Sequence, residues 1–420
     1  MEVSFRFLHL ADLHLDTSFY GEKPELRRLL QQEARMCLER AVDLALAKKV
    51  QALLIAGDLF DQDLLSFATE KKLLVEFQRL RAGGVKVFYA PGNHDPFNGT
   101  SGIGRLSWPD NVYIYKKAMP EMVYARDREG RPVAAVTGAG HESRQEGKNL
   151  VALFPPSAEA LPRVALLHAL VLGHEGSEQH SRYAPCSRDD LRGKGYHYWA
   201  LGHVHSFGQV LEEPAAYYPG NTQGRNPTET GPKGCLLVEI DTKGRVQVNF
   251  ERLSRLCWER IFLQNLEQVS TLEQLQHLIV SSIQKVISQQ PPGLVLLPRV
   301  YLLGTCPLYR ELKSEDNLLF LQESLLEEMA LPWLEIKAER LFPPLDLEKY
   351  RQGPHLLAEV LKLLARAEKD DELLLSLAPR LLAAVEAGYV GTSREEKLLY
   401  LRRLLQDMDK EIALRLIKDA

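Results

Sequence analysis

The chain has 420 residues, which at roughly 100–200 residues per domain predicts two or three domains. Hydrophobic residues make up 45% and charged residues 26%, ordinary values for a globular protein, so disordered, collagenous and coiled-coil architectures are excluded. Lys plus Arg number 52 against 56 Asp plus Glu, a net charge of −4, so any polyanion would have to be bound by local basic patches or metal ions.

From the N-terminus to about residue 253, short apolar runs alternate with helical stretches. SFRFLHLA (4–11), ALLIAGD (52–58), VKVFYAPG (85–92), PVAAVTGAG (132–140), RVALLHAL (163–170) and YHYWALGH (196–203) predict buried strands. Segments 22–50 and 64–83 have helical periodicity, the second stopping at Gly83-Gly84. This alternation is the pattern of parallel βαβ units, and YYPGN, GCLLVEID and RVQVNFERL read as antiparallel additions. An α/β domain is therefore expected over 1–253. WERIFLQ, a helix, LVLLPRVYLLG, a second helix and PWLEIKAERL then predict a small α+β domain of βαββαβ-like order over 256–340. After FPPL at 342–345, residues 346–420 read as amphipathic helices with apolar residues at i, i+3, i+4 and i+7. No apolar run reaches the roughly 18 residues of a membrane span, and MEVSFRFLHLADLHL meets an acidic residue too early for a secretory signal; a cytoplasmic protein without membrane association is expected. Cys37, Cys186, Cys235, Cys257 and Cys306 are scattered and lack any CxxC spacing, which predicts reduced thiols.

Metal-ligating residue types fall at the C-terminal ends of the predicted strands. Asp12 and His14 follow the first, Asp58 the second, and Asn93, His94 and Asp95 the third; His168 ends RVALLHAL, and His203 and His205 follow WALG. In open α/β sheets these ends form the ligand crevice, so the residues should converge. Apart from His94 and Asp95 they comprise two Asp, one Asn and four His, a thiolate-free set that suits Mn²⁺, Fe or Zn²⁺. Two such ions about 3.5–4 Å apart form the clamp used in phosphate-ester hydrolysis, which calls for a bridging carboxylate. Asp58 is the natural bridge, because Gly57 allows a tight turn before it. Asp12 and His14, one residue apart, would chelate one ion from extended backbone.

The ordered series DxH, GDxxD, GNHD, a strand-terminal His and GHxH resembles the calcineurin-like metallophosphoesterase superfamily. Within it the chain is most similar to the SbcD-type DNA repair exonuclease group and its YhaO-like branch, through YYPGNTQGR (217–225), ETGPKGC (229–235) and EQHSRYAPC (178–186). The resemblance implies a four-layer α/β/β/α sandwich over 1–253, a capping domain at 256–340 and a partner-docking helical region at 346–420. It implies one metal held by Asp12, His14, Asp58 and His205, and a second by Asp58, Asn93, His168 and His203, with Mn²⁺ preferred. His94 would face the scissile phosphate as general acid or transition-state stabiliser, supported by Asp61, or more weakly by Asp95, which an ordinary turn cap would also explain. Gln62 stands where protein phosphatases carry a phosphate-clamping Arg, and Asp61 where purple acid phosphatases carry a Tyr ligand, so neither chemistry is expected. Arg225, Lys233, His174 and His180 are candidate substrate contacts.

The expected activity is a two-metal DNA exonuclease or endonuclease in DNA repair. Its expected partners are DNA, an SMC-like coiled-coil ATPase docked on the C-terminal helices, and a second copy in a homodimer. The alternatives are a small-molecule phosphodiesterase or phosphatase, and a scaffold serving mainly a large ATPase.

Overall fold

The computed structural model describes residues 3–19, 24–61, 65–97, 102–157, 160–174, 181–385 and 393–417. Gln62 and His180 lie outside them. Tertiary contacts divide the chain into two units, Met1–Glu259 with Pro291–Leu297, and Arg260–Gln290 with Pro298–Ala420.

The first unit begins with β1 (Val3–Leu10), α1 (Pro24–Ala47), β2 (Ala52–Ile55), α2 (Phe67–Ala82) and β3 (Lys86–Tyr89). Then come β4 (Val112–Ile114), β5 (Glu121–Arg126), β6 (Pro132–Ala139), β7 (Arg163–His168), β8 (Tyr198–Gly202), β9 (Gly208–Leu211), β10 (Ala215–Tyr218), β11 (Gly234–Asp241) and β12 (Val246–Arg252). Two six-stranded sheets result, ordered β12-β11-β1-β2-β3-β4 and β5-β6-β7-β8-β10-β9. Phe5, Phe7, Leu54 and Phe88 of the first sheet meet Val136, Val164, Leu166 and Tyr198 of the second in one buried core. At about 1.5–3 kcal/mol per fully buried large apolar side chain, this interface supplies much of the driving force for stacking the sheets.

α1 buries Leu26, Leu30, Ala34, Leu38, Ala41, Val42 and Ala45, a stripe at helical spacing. Ser66 caps α2 by accepting from the Thr69 amide, and the helix ends at Gly83 as the sequence predicts. The outer face of the second sheet packs Leu167, Trp199 and Leu201 on Phe154, Leu191 and Tyr196, in a thin layer of loops and single helical turns. The architecture is the expected four-layer α/β/β/α sandwich. β1, β2 and β3 are mutually parallel, as are β6, β7 and β8, so each set of C-terminal ends shares one edge of its sheet.

Two expectations need correction. The YYPGN strand, β10, pairs antiparallel with β9 but parallel with β8, because the β9 hairpin lies outside it at the sheet edge. The βαββαβ-like order is not formed: LVLLPRVYLLG is a single strand, β14 (Val295–Thr305), as the run contains no turn-forming pair around Pro298. With β13 (Leu256–Leu263) and β15 (Glu335–Phe342) it makes a three-stranded sheet in the order β13-β14-β15.

In the second unit, helices Leu272–Gln289 and Glu315–Met329 bury Leu275, Ile279, Ile283, Leu321 and Leu325. Farther on, helix Leu356–Ala367 packs Leu357 and Leu361 on Ala413, while Ala367, Leu374 and Leu401 form a neighbouring cluster. All five cysteines are buried and unpaired. Among the described residues no helix is long and apolar enough to cross a membrane.

Candidate metal centre

The loops leaving β1, β2, β3, β7 and β8 bring the predicted ligands together. Asp12, His14 and His205 form one cluster, Asp12, Asp58 and His168 a second, and His14, Asp58 and His94 a third. The backbone that aims them is strained. Asp12 (φ 51°), His14 (φ 43°), Asp58 (φ 48°) and His203 (φ 111°) all sit at positive φ, as does Gly57 (φ 84°). The expectation that Asp12 and His14 act from extended backbone is therefore wrong: β1 ends at Leu10, and a left-handed turn points both side chains inward. Gly57 and Gly92 are required sterically, since a Cβ would lie 2.3 Å from His168 Nδ1 at the first and 2.3 Å from Asp58 Oδ1 at the second.

Each imidazole is oriented by a partner on its far nitrogen. His14 Nδ1 donates to Asp61 Oδ1 (3.1 Å), His205 Nδ1 to Glu229 Oε1 (2.9 Å), His168 Nδ1 to the Ala56 carbonyl (2.9 Å) and His203 Nε2 to the Ser181 carbonyl (2.8 Å). These bonds fix the tautomers and turn an unprotonated nitrogen of every ring inward. Lone pair then faces lone pair: His14 Nε2 and His205 Nε2 are 3.2 Å apart, His203 Nδ1 and His168 Nε2 are 3.2 Å apart, and His168 Nε2 lies 3.0 Å from Asn93 Oδ1. Asp58 Oδ2 stands between the two groups, 3.7 Å from His14 Nε2 and 3.4 Å from His168 Nε2. Asp12 Oδ1 is buried without a hydrogen-bond partner, 3.8 Å from His205 Nε2 and 4.0 Å from His14 Nε2. Acceptors at these separations repel unless cations lie between them, and ligand atoms about 2.0–2.2 Å from a shared ion have such spacings.

The electrostatics agree. Burial, and then the neighbouring Asp58, push the Asp12 carboxyl well above its ordinary range, and burial with Asp95 pushes Asp58 up to about 7. Arg225, and for Asp58 also His94, offset only part of this, leaving a shortfall of positive charge that ions would supply. Burial holds His14 and His168 well below the usual histidine value, in the neutral form that metals bind. His94 differs. Its Nδ1 donates to Asp61 Oδ1 (2.7 Å), its side chain is 38% exposed against 1% for His14, and although burial works against its charge, the bond to Asp61 together with the charges of Asp58 and Asp61 raises its pKa. Burial works against the Asp61 charge, yet hydrogen bonds from His14, His94 and Thr17 hold that carboxyl far below its usual range.

The other predicted contacts divide. Arg225 lies at the centre, its Nη1 3.9 Å from Asp61 Oδ1 and its Nε 3.3 Å from Glu229 Oε1. Lys233 is buried instead and donates to the His205 carbonyl (2.9 Å), holding a ligand loop in place. His174 is buried against the Tyr218 ring, so it does not stand in an open groove. Asp95 accepts from the amides of Asp58 (3.2 Å), Leu59 (2.6 Å), Phe60 (3.2 Å) and Gly92 (2.7 Å) and from the Tyr89 hydroxyl, which ties the β2 turn to the β3 turn. Sequence reasoning missed Glu229. Its signal was present, a carboxylate opening the ETGPKGC segment, but nothing in the sequence places it against His205.

The calcineurin-like phosphoesterase family model matches residues 5–207. A metallophosphoesterase named YhaO from Bacillus subtilis is 34% identical over 356 residues, 83% of this chain and 82% of that protein. The DNA double-strand break repair protein Mre11 of Aeropyrum pernix is 28% identical over 246 residues, 57% of this chain and 58% of its own length. A crystal structure of a dimetal phosphatase from Danio rerio aligns with a TM-score of 0.34 and 15% identity, over 57% of this chain and 93% of that one.

Proposed function

The chain belongs to the calcineurin-like phosphoesterase family, and from that premise we propose a cytoplasmic, two-metal phosphodiesterase that cleaves DNA in repair, in concert with an SMC-like ATPase. The observation that carries the two-metal reading is the inward set of unprotonated imidazole nitrogens around Asp58. Similarity to Mre11 proteins named for DNA double-strand break repair supports DNA as the substrate.

Asp12, His14, Asp58 and His205 would hold one ion, and Asp58, Asn93, His168 and His203 the other. Bound Mn²⁺ ions would supply Lewis acidity at the phosphoryl oxygens and a water acidic enough to attack phosphorus. The rest is the chain's own work. Asp61, bonded to His94 Nδ1, favours the protonated ring, whose other nitrogen would give a proton to the leaving oxygen. Arg225, the cation beside Asp61, positions a phosphate without reading bases. The C-terminal helices expose Leu356, Leu363, Leu399 and Leu416, apolar surface that supports docking of the coiled-coil partner.

A single gel assay tests the reading: purified protein with Mn²⁺ on end-labelled single- and double-stranded DNA, beside a nitrophenyl phosphodiester. Degradation of DNA is expected. Hydrolysis of the nitrophenyl ester with both DNAs left intact would move the substrate to small molecules.

A further inference from the structure

His141 follows β6, is fully buried, and has no place in either ligand set. Its ring Nε2 donates to the main-chain carbonyl of His168 (2.7 Å), and the two rings meet edge to face with centroids 5.5 Å apart. That bond puts the ring's proton on Nε2, and burial lowers its pKa, favouring the neutral imidazole. Nδ1 is then a bare acceptor, buried without a hydrogen-bond partner. An unsatisfied buried acceptor costs about 1–3 kcal/mol, so an apolar ring of the same size would serve stability better. The bond to His168 is what a histidine adds here.

The main chain of His141 is fixed to the other side of the centre. Its amide donates to the Pro91 carbonyl (2.9 Å) and its carbonyl accepts from the Phe97 amide (2.9 Å), so it brackets the loop that carries Asn93, His94 and Asp95. Gly140 lets this segment press close, since a Cβ there would lie 2.7 Å from Pro91 Cδ. His141 thus spans two ligand loops, held to one by its backbone and to the other by its ring. The His168 ring has little slack with which to absorb a shift. A Cβ on Gly57, Gly92 or Gly202 would lie 2.3, 2.9 or 2.9 Å from its atoms, and its Nδ1 is already bonded to the Ala56 carbonyl (2.9 Å). Where the His168 main chain sits therefore decides where Nε2 points, and Nε2 stands 3.0 Å from Asn93 Oδ1.

We propose that His141 is a positioning residue of the centre: through its ring it ties the His168 carbonyl to the loop of Asn93, and so sets the distance between two donors to the same ion. The proposal rests on the two-ion reading above. It adds to that reading a residue that touches neither ion nor substrate and acts through His168.

Two variants separate the bond from the space the ring fills. His141→Phe keeps a flat ring and removes the donor, whereas His141→Gln keeps an Nε2 donor within reach of the carbonyl. Each full-length protein, stripped of metal, is titrated with Mn²⁺ by calorimetry, and the loaded centre is read by electron paramagnetic resonance. His141→Phe should weaken Mn²⁺ binding by about 10–100-fold and alter the spin-coupled spectrum of the ion pair, while His141→Gln should recover most of both. Wild-type affinity and spectrum in His141→Phe, or an equal loss in the two variants, would overturn the proposal and leave the two-ion centre standing. Binding of a single ion by the wild-type protein at saturating Mn²⁺ would overturn the two-ion reading and the proposal with it. A measurement without metal keeps the test decisive if a variant fails to fold: imidazole nitrogen-15 spectra of the metal-free wild-type protein should show His141 protonated at Nε2, and a proton on Nδ1 instead would overturn the proposal.

Discussion

The two units of this chain bury different things. In the first, Asp12, His14, Asp58, Asn93, Asp95, His168, His203 and His205 are all at most 8% exposed, and further buried polar groups such as His9, Glu33, Glu76 and Asp241 surround the core. In the second, among the described residues, every buried side chain is apolar. Desolvating polar groups without partners costs about 1–3 kcal/mol each, so a fold tolerates such a concentration only where a dense network satisfies it. The contrast teaches that the first unit is built to hold chemistry and the second to hold shape. Its exposed leucines offer surface for contact.

That contrast can be broken most directly at Asp58. Asp58→Asn should remove both ions and activity together, measured by elemental analysis beside turnover of a nitrophenyl phosphodiester; retention of both ions would exclude Asp58 as the bridge. Next in size, His94→Ala should reduce kcat by about 10²–10⁴-fold with both ions retained. Loss of an ion there would make His94 a ligand.

Acid should separate the units. His9, its Nε2 donating to the Leu201 carbonyl and its Nδ1 bonded to the Tyr198 hydroxyl, is lowered by burial to about 3. Unfolded, the ring takes its proton near the ordinary value of about 6.5, so the stability it contributes is complete above that pH and is lost as pH falls toward 3. Over the whole window the loss is of the order of 3–5 kcal/mol. Melting curves from pH 7.5 to 4 should show the first unit destabilised ahead of the second, with a shallower slope in His9→Gln; equal slopes would remove His9 as a cause. The smallest effect on chemistry is expected from truncation after Leu345, which should leave the proposed Mn²⁺-dependent hydrolysis of short DNA nearly unchanged and abolish co-purification with the proposed ATPase partner. Undiminished partner binding would place the docking surface elsewhere.

The strands that carry ligands were legible because each is a short, largely apolar run followed by Asp, Asn or His, and parallel topology then dictates that such ends meet. What the residues could not disclose were properties of long-range pairing. Whether β10 joins β8 or stays at the edge depends on the β9 hairpin, and whether LVLLPRVYLLG turns back depends on partners far along the chain. The left-handed turn at Asp12 and His14 was hidden for another reason: Asp and His are ordinary residues in extended chain, and only the closed centre forces them to positive φ. Lys233 read as a substrate contact because lysines usually reach solvent; its burial follows from a carbonyl 28 residues away in sequence.

Asp95 carries a consequence for the order of events in assembly. Because one carboxylate holds three consecutive amides after β2 and another after β3, the two turns bearing Asp58 and Asn93 are locked together by the polypeptide alone. Such a lock should keep the cradle in shape before its cargo arrives, and in contrast to small domains that are unfolded until zinc arrives, this chain is expected to fold with its centre empty. After chelation the amides of Asp58, Leu59 and Phe60 should still exchange slowly with deuterium, and the ions can come and go from a cavity whose walls do not collapse behind them.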